Sequence, residues 1–366
     1  MDFPIDVKLV RTTLMCTGGA TVIIDLGGFV ATVTEVARRA NVSPGIVSRL
    51  LNEDPTLRVR EDTRQRILQA AKDLDYSPNA AARALRMSRS GTIGLAVHDA
   101  SNPVYTEIIA GAQDEATRAG YALMLADVDA LAQGGAIFRR VISSGSIDGL
   151  LLQRGDTDAD AFVSRLTEKR VPMVVLNDRT EGHLGSVGVD DYAASMLAMS
   201  HLLGLGHRAI GYLGVDGALP RSELRRRGWE DSLRAAGVPI DRSMVVNGGH
   251  TAQSGYEGMT TMLARPQRPT AVFAANVLAG VGALSACRDQ GVRVPEEMSV
   301  VGLHDFPLAE HLSPRLTVVR LPLFQMGARA VQLLLKQFDD GVTHHETITE
   351  PAPLMVVRES SSIPRI

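Results

Sequence analysis

The sequence predicts a small helix-turn-helix head followed by a two-lobed α/β body with parallel sheets, and three observations predict it. Short amphipathic helices are spelled out between Val33 and Leu74. From Thr92 onward short apolar runs alternate with helical stretches. The chain is 366 residues long, more than one compact core holds, and a body of about 275 residues suits two lobes better than one.

In the head, Val33, Val36, Ala37 and Ala40 share one helical face. Ala40-Asn41-Val42 reads as a tight turn. Ser43 is placed to cap the next helix and Pro44 suits its first turn. Val47, Leu50 and Leu51 then face inward, and Asn52 marks the end. A third helix follows over about Glu61–Leu74 with Ile67, Ala70, Ala71 and Leu74 as its stripe. Arg60 stands where a capping side chain is expected, so either the helix starts elsewhere or it lacks a cap. Two helices joined by a short turn and packed on a third make the helix-turn-helix layout.

Tyr76-Ser77-Pro78-Asn79 ends the pattern, and residues 80–90 are alanine-rich with little to bury, which reads as a hinge helix. The division is then an extension over 1–30, a head over 31–79, the hinge, a body over 91–358 and a tail over 359–366. Residues 1–30 carry Lys8 and Arg11, but their apolar stretch is glycine-broken and interrupted by Asp25. They read as a disordered extension or a misassigned start rather than an export signal.

In the body, Ile93–Val97, Ala122–Ala126, Gly149–Leu152, Met173–Leu176, Ala209–Leu213, Ala271–Ala275 and Ser299–Leu303 are continuous apolar runs, as strands buried on both faces require. Helices between them make βαβ units.

The net charge of −3 conceals an asymmetry. Residues 31–90 hold 11 Lys and Arg against 7 Asp and Glu, a balance of +4, while 91–366 carry about −6. A basic module on an acidic body fits a phosphate-bearing partner at one end. Cys16 and Cys287 lie far apart and outside any metal-ligand spacing, so no disulfide and no metal are expected, and a reducing cytoplasm is the default. No apolar run is long enough to span a bilayer, and no membrane partner is expected. Glycine-rich dinucleotide and phosphate loops and the serine elbow of hydrolases are absent, which argues against an enzyme and against a cofactor.

From Ala31 to Arg358 the chain resembles the lactose-repressor (LacI/GalR) family of transcription regulators. In the head the resemblance is carried by Thr32-Val33-Thr34-Glu35-Val36-Ala37, Val42-Ser43-Pro44 and Val47-Ser48-Arg49-Leu50-Leu51-Asn52. The hinge adds Tyr76-Ser77-Pro78-Asn79 with Ala82 and Leu85. In the body it rests on Ser101-Asn102-Pro103 with Gly111, on Gly206-His207-Arg208, and on Arg225 before Gly228-Trp229. Val294-Pro295, Val300-Val301-Gly302 and Pro314 with Leu316-Thr317 close the series.

The resemblance implies a repressor that binds palindromic double-stranded operator DNA as a homodimer, switched by a small molecule held between the lobes of a periplasmic-binding-protein-like (type I) body. It implies that the helix beginning at Pro44 enters the major groove, with Pro44 and Gly45 at the base-reading positions. Neither has a polar side chain, so Arg49 is the better reader of guanine or phosphate. Thr32, Ser43, Ser48 and Asn52 are candidate phosphate donors, Ser43 and Asn52 equally candidate caps. Asn79, Ala82 and Leu85 fall at hinge positions, with Leu85 as a minor-groove wedge. The first lobe is expected over 91–190 and 321–343, the second over 191–318 and 344–358. The chain shows no heptad tail to join dimers into tetramers.

The aligned effector positions are Tyr105, Gln153, Asn177, Arg221, Arg225, His250, Asn276 and His304, near the carboxyl ends of strands. Two departures stand out. Val277 replaces an aspartate usual in sugar-responsive members, and Leu303-His304-Asp305 replaces an aromatic-Asp-Asp run. With the balancing acid gone, Arg225 and Arg221 point to an anionic effector rather than a simple sugar, with Val277 as an apolar wall. The competing reading is that Asp190, Asp191 or Asp305 neutralises Arg225 internally. A solute-binding protein of a transport system shares the two-lobed body, but it would need an export signal and would lack the head.

Overall fold

The computed structural model describes residues 13–15, 21–23, 31–52, 54, 56–76, 89–153, 159–178, 184–215 and 219–365. They fall into two units, 1–88 and 89–366. Residues 77–88, which hold most of the expected hinge with Asn79, Ala82 and Leu85, lie outside the described residues.

The first unit holds α1 (Val33–Ala40), α2 (Pro44–Leu51) and α3 (Glu61–Asp73). Thr32 and Glu35 close a capping box at the start of α1: the Thr32 N–H donates to Glu35 at 2.7 Å, and the Glu35 N–H returns to the threonine hydroxyl at 3.3 Å. Asn41 ends α1 in the left-handed region at φ 54°, where asparagine is tolerated, and so turns the chain into α2. Val36, Ala37, Ala40, Val47, Leu50, Ile67, Ala70 and Ala71 form the core, the stripes the sequence marks. Arg60 does precede α3 and makes no side-chain cap bond. Upstream, β1 (Thr13–Met15) pairs antiparallel with β2 (Thr21–Ile23), an element not expected from the sequence.

In the second unit the first lobe contains β3 (Thr92–Val97), α4 (Val104–Arg118), β4 (Ala122–Asp127), α5 (Val128–Ala132), α6 (Gly135–Phe138), β5 (Gly149–Gln153), α7 (Ala159–Glu168), β6 (Met173–Leu176) and β7 (Gly185–Val189). The second contains α8 (Asp191–Gly204), β8 (Ile210–Gly214), α9 (Pro220–Ala235), β9 (Val245–Asn247), α10 (Ala252–Leu263), β10 (Ala271–Ala274), α11 (Val277–Asp289), β11 (Ser299–Leu303) and β12 (Thr317–Arg320). Then come α12 (Leu323–Asp340), β13 (His345–Ile348) and β14 (Leu354–Val356). The strand orders are β13-β7-β6-β5-β3-β4, parallel throughout, and β14-β12-β11-β10-β8-β9, parallel except for the β12–β14 pair. All seven apolar runs are strands, and β5, β6, β8, β10 and β11 are buried at every position.

The chain crosses between sheets three times: after β7, after β12 and after β13. The third crossing corrects the expected boundary at 344. His345–Ile348 pairs in register with Ser186–Val189 and so belongs to the first sheet. Helices α4 and α12 meet at glycines. A Cβ on Gly111 of α4 would lie 1.9 Å from the Phe324 carbonyl oxygen of α12, and one on Gly327 would lie 2.1 Å from Ile108 O. That close approach is the physical reason for a glycine at 111.

Residues 359–365 are not a detached tail. The Ser360 hydroxyl donates to Val300 O and accepts from the Thr317 N–H at 2.8 Å. His207 Nε2 lies 2.9 Å from Ser362 O, which can only accept, so Nε2 carries the proton and Nδ1 accepts from the Thr270 hydroxyl at 2.8 Å. Gly206-His207-Arg208 is thus a structural motif, and burial holds the His207 imidazole below its ordinary pKa.

Candidate DNA-reading head and ligand cavity

At the start of α2, Ser43, Pro44 and Gly45 are exposed, and no atom lies within 4 Å of where a Gly45 Cβ would sit. Backbone and ligand can approach closely there. Ser43 occupies the N-cap position without making a side-chain cap bond. Asn52 does act as a cap: its amide donates to Ser48 O at 2.6 Å. The Thr32 hydroxyl donates to Glu35 at 2.9 Å while it caps α1. Both side chains thus take part in helix caps. Arg49 is anchored from below, with Nε on Asp54 at 2.7 Å and Nη2 on Thr56 at 2.9 Å. Bonds from Thr56 first and Arg49 second push the Asp54 carboxyl down to about 2. The pair fixes the direction of a guanidinium that an unpaired side chain would leave mobile.

In the body, Tyr105, Gln153, Asn177, Arg221, Arg225, His250, Asn276 and His304 all line one cavity of about 430 Å³. Topology brings them together. Gln153 ends β5, Asn177 follows β6, Asn276 follows β10 and His304 follows β11, so the carboxyl ends of both sheets face one space. A second cavity of about 770 Å³ shares Asn177 and Arg221 but runs along β7, β13 and the start of α9. It draws no residue from the ends of β5, β10 or β11.

Arg225 is the hub. It is 5% exposed. Its Nε donates to Asp191 at 2.7 Å, its Nη1 to Ala275 O at 2.8 Å, and its Nη2 lies 3.2 Å from His304 Nε2. Of the three acids that could balance it, Asp191 does so. Asp190 instead caps α8 through Ala193 N at 2.8 Å, and Asp305 pairs with Arg320 at 2.7 Å and Arg358 at 2.9 Å. The premise of an acid missing beside Arg225 is therefore corrected. So is the apolar wall: Val277, the first residue of α11, is fully buried in the second lobe's core and does not line the cavity.

His304 and Asn177 hold left-handed backbones, at φ 73° and 51°. Such strain costs on the order of 1–3 kcal/mol and gathers at functional sites. The His304 N–H is pinned on Val319 O at 2.9 Å. Burial first, then the charges of Arg225 and Arg221, holds its imidazole well below the usual pKa. Asn276 is partly structural: Oδ1 caps α11 at Ala279 N, and Nδ2 donates to Gly249 O.

The cavity adds residues that sequence reasoning missed. His98 and Asp129 form a pair at 3.2 Å, and Asp99, Asn102 and Thr251 sit on loops around it. Asp99 accepts from the Ser101 N–H and hydroxyl at 2.9 and 2.6 Å, and the Asn102 side chain accepts from Val104 N at 3.1 Å. Ser101-Asn102-Pro103 thus builds the entry to α4. A search for residues just past each strand end would have found His98 beyond β3.

The head, residues 32–79, matches the model for bacterial regulatory proteins of the lacI family, and residues 199–361 match the periplasmic binding protein-like domain. The HTH-type transcriptional repressor PurR of Photobacterium profundum is 30% identical over 331 residues, 90% of this chain and 98% of that protein. The chain belongs to the lacI family. The HTH-type transcriptional repressor CytR of Escherichia coli (strain K12) is 33% identical over 309 residues, 84% of this chain and 89% of that one. Among solved structures, the lac repressor dimer bound to operator and the anti-inducer ONPF superposes with a TM-score of 0.76 at 26% identity, over 91% of this chain and 99% of that one. As a family member this chain is a DNA-binding transcriptional regulator with an effector-binding body, and the transport reading is not favoured. No helix among the described residues is long and apolar enough to cross a membrane.

Proposed function

We propose that the protein represses transcription as a homodimer on a twofold-symmetric operator, and that a small polar molecule in the 430 Å³ cavity switches it. One observation carries the switch: residues at the carboxyl ends of strands from both lobes converge on one cavity, so a ligand there has different contacts in open and closed lobes. In the head, Thr32, Ser43, Pro44, Gly45, Ser48, Arg49 and Asn52 supply the DNA contacts, with α2 in the major groove. Asn79, Ala82 and Leu85 keep their assignment to the hinge, with Leu85 as the minor-groove wedge at the dyad.

The case for an anionic effector lapses with Asp191 on Arg225, because the buried guanidinium already has its carboxylate. Calorimetry with sugars, their phosphates and organic acids, repeated on Arg225→Ala, reads the ligand's charge.

The test is linkage. Duplexes enriched from a randomised library by the full chain are titrated by fluorescence anisotropy, with and without metabolites that raise its melting temperature. A ligand that shifts DNA affinity by a factor must itself have its affinity shifted by that factor when DNA is bound. Ligands that stabilise the protein yet leave duplex affinity unchanged contradict the switch.

A further inference from the structure

In the sequence, residues 77–88 join the head to the body, and the first described residues beyond them are Arg89, Ser90 and Gly91. None of the three lies in a strand. β3 begins at Thr92 and is paired on both sides, with β4 and with β5. The sheet asks of the three only the Gly91 carbonyl, which accepts from the Ala122 N–H at 2.9 Å.

Yet each of them is held by a side chain. Asp148, one residue before β5, gives both carboxylate oxygens to the backbone: Oδ1 accepts from the Ser90 N–H at 2.5 Å and Oδ2 from the Gly91 N–H at 2.8 Å. Bonds to a carboxylate are charge-assisted and stronger than neutral ones. Asp148 is itself fixed, since its N–H donates to Thr92 O at 2.8 Å. Gly91 takes a left-handed backbone at φ 71°, which only glycine enters without steric cost. The Arg89 guanidinium lies 5.5 Å from the ring centre of Phe338, near the end of α12, and donates to the Tyr121 hydroxyl at 3.4 Å. The residues leading into β4 and β5 and the last turns of α12 thus grip three consecutive residues where the chain enters the body.

We infer that Asp148 is a positioning residue for DNA binding: it fixes the point at which residues 77–88 meet the body, and through them the half-site spacing that the dimer accepts. The inference rests on the proposed binding of a twofold-symmetric operator. Two heads on loose mounts reach a range of spacings, whereas two heads on fixed mounts match one. Ser90, Gly91 and Asp148 are only half-buried, so water takes over the two N–H groups when the carboxylate is removed and the body keeps its fold.

Two measurements on the full chain and its Asp148→Ala and Asp148→Asn variants test it. Trypsin reads the mount without DNA, because cleavage of a held peptide bond waits on local opening. The Arg89–Ser90 bond, followed by mass spectrometry, should be cut about fivefold faster in the alanine variant, with a melting temperature close to that of the wild type. Fluorescence anisotropy then reads DNA, with the duplex selected by the wild-type chain and the same duplex with one base pair inserted or removed at the dyad. The wild type should lose about tenfold in affinity on either change, and the alanine variant about threefold or less. Affinity for a scrambled duplex should be equal in both. Asp148→Asn keeps one acceptor and should fall between them; if the alanine variant misfolds, the asparagine variant decides alone, and its spacing penalty must be smaller than that of the wild type. Cleavage at the wild-type rate, or a spacing penalty as steep as the wild type's, overturns the inference. So does a lowered melting temperature with the spacing preference intact, which makes Asp148 a residue of the fold alone. A wild-type chain that selects no dyad duplex removes the proposed function and this inference with it, whereas a variant that keeps the wild-type penalty removes this inference only.

Discussion

Arg225 Nε lies 2.7 Å from Asp191 Oδ1, and both side chains are almost wholly buried, at 7% and 2% exposed. The pair ties the first turn of α8 to α9 beside the cavity. Removing one partner of a buried ion pair strands the other charge, which costs about 3–5 kcal/mol. Asp191→Asn and Arg225→Met should each lower the melting temperature steeply, and the double variant should lose less than the two single losses summed. Additive losses in chemical denaturation would show that the two groups do not depend on each other.

The α4–α12 contact should be intolerant of a single methyl group. Gly111→Ala places a carbon against the Phe324 carbonyl and Gly327→Ala one against Ile108 O, so helix must move away from helix. Overpacking of this kind costs about 1–3 kcal/mol and here should reach the upper end. Gly145→Ala, where no neighbour lies within 4 Å of the Cβ but φ is positive, should cost only the backbone strain, of order 1 kcal/mol. Equal stability of the Gly111 variant and wild type would contradict the packing.

The C-terminal residues should contribute to folding. Deleting 360–366 removes bonds from Ser360 to Val300 and Thr317 and from Ser362 to His207 and Ser299. At about 0.5–1.5 kcal/mol each, these amount to roughly 2–6 kcal/mol. A truncated chain that melts with the full one would disprove the role.

Stability should fall on mild acidification. His201 and His207 are held below their ordinary pKa of 6.5, chiefly by burial. Below that value the unfolded chain binds more protons than the folded one, so stability is lost as pH drops from 6.5 toward the folded values. The melting temperature should decline between about pH 7 and pH 5.5, and His207→Gln should flatten the decline. A rise over that window, or a slope that His207→Gln leaves untouched, contradicts the assignment.

Much of the fold is legible in the sequence. The helical stripes carry strong periodicity, and most of the seven apolar runs are continuous because their strands are buried on both faces; β4, on the sheet edge, has no buried position. β7, β9, β12, β13 and β14 escape such a reading. They are three to five residues long, and β9, β13 and β14 are short edge strands that bury little. The cavity residues are legible through motif order, not through chemistry: nothing local to Gln153 or Asn177 marks a ligand. What the sequence leaves open is the partner of Arg225. Asp190, Asp191 and Asp305 are equal candidates there, and only the packing of α8 on α9 chooses Asp191. The same limit hides the local partners of Thr32 and Asn52, whose side chains take part in helix caps.

The most direct test of the account is selection of DNA. The full chain is incubated with a library of randomised duplexes, bound DNA is recovered and sequenced, and the winning duplex is sedimented with the protein. The expected result is an inverted repeat with two chains per duplex, and loss of enrichment when Arg49 is replaced by alanine. Recovery of no sequence above background, or of a site without dyad symmetry bound by a single chain, would contradict it.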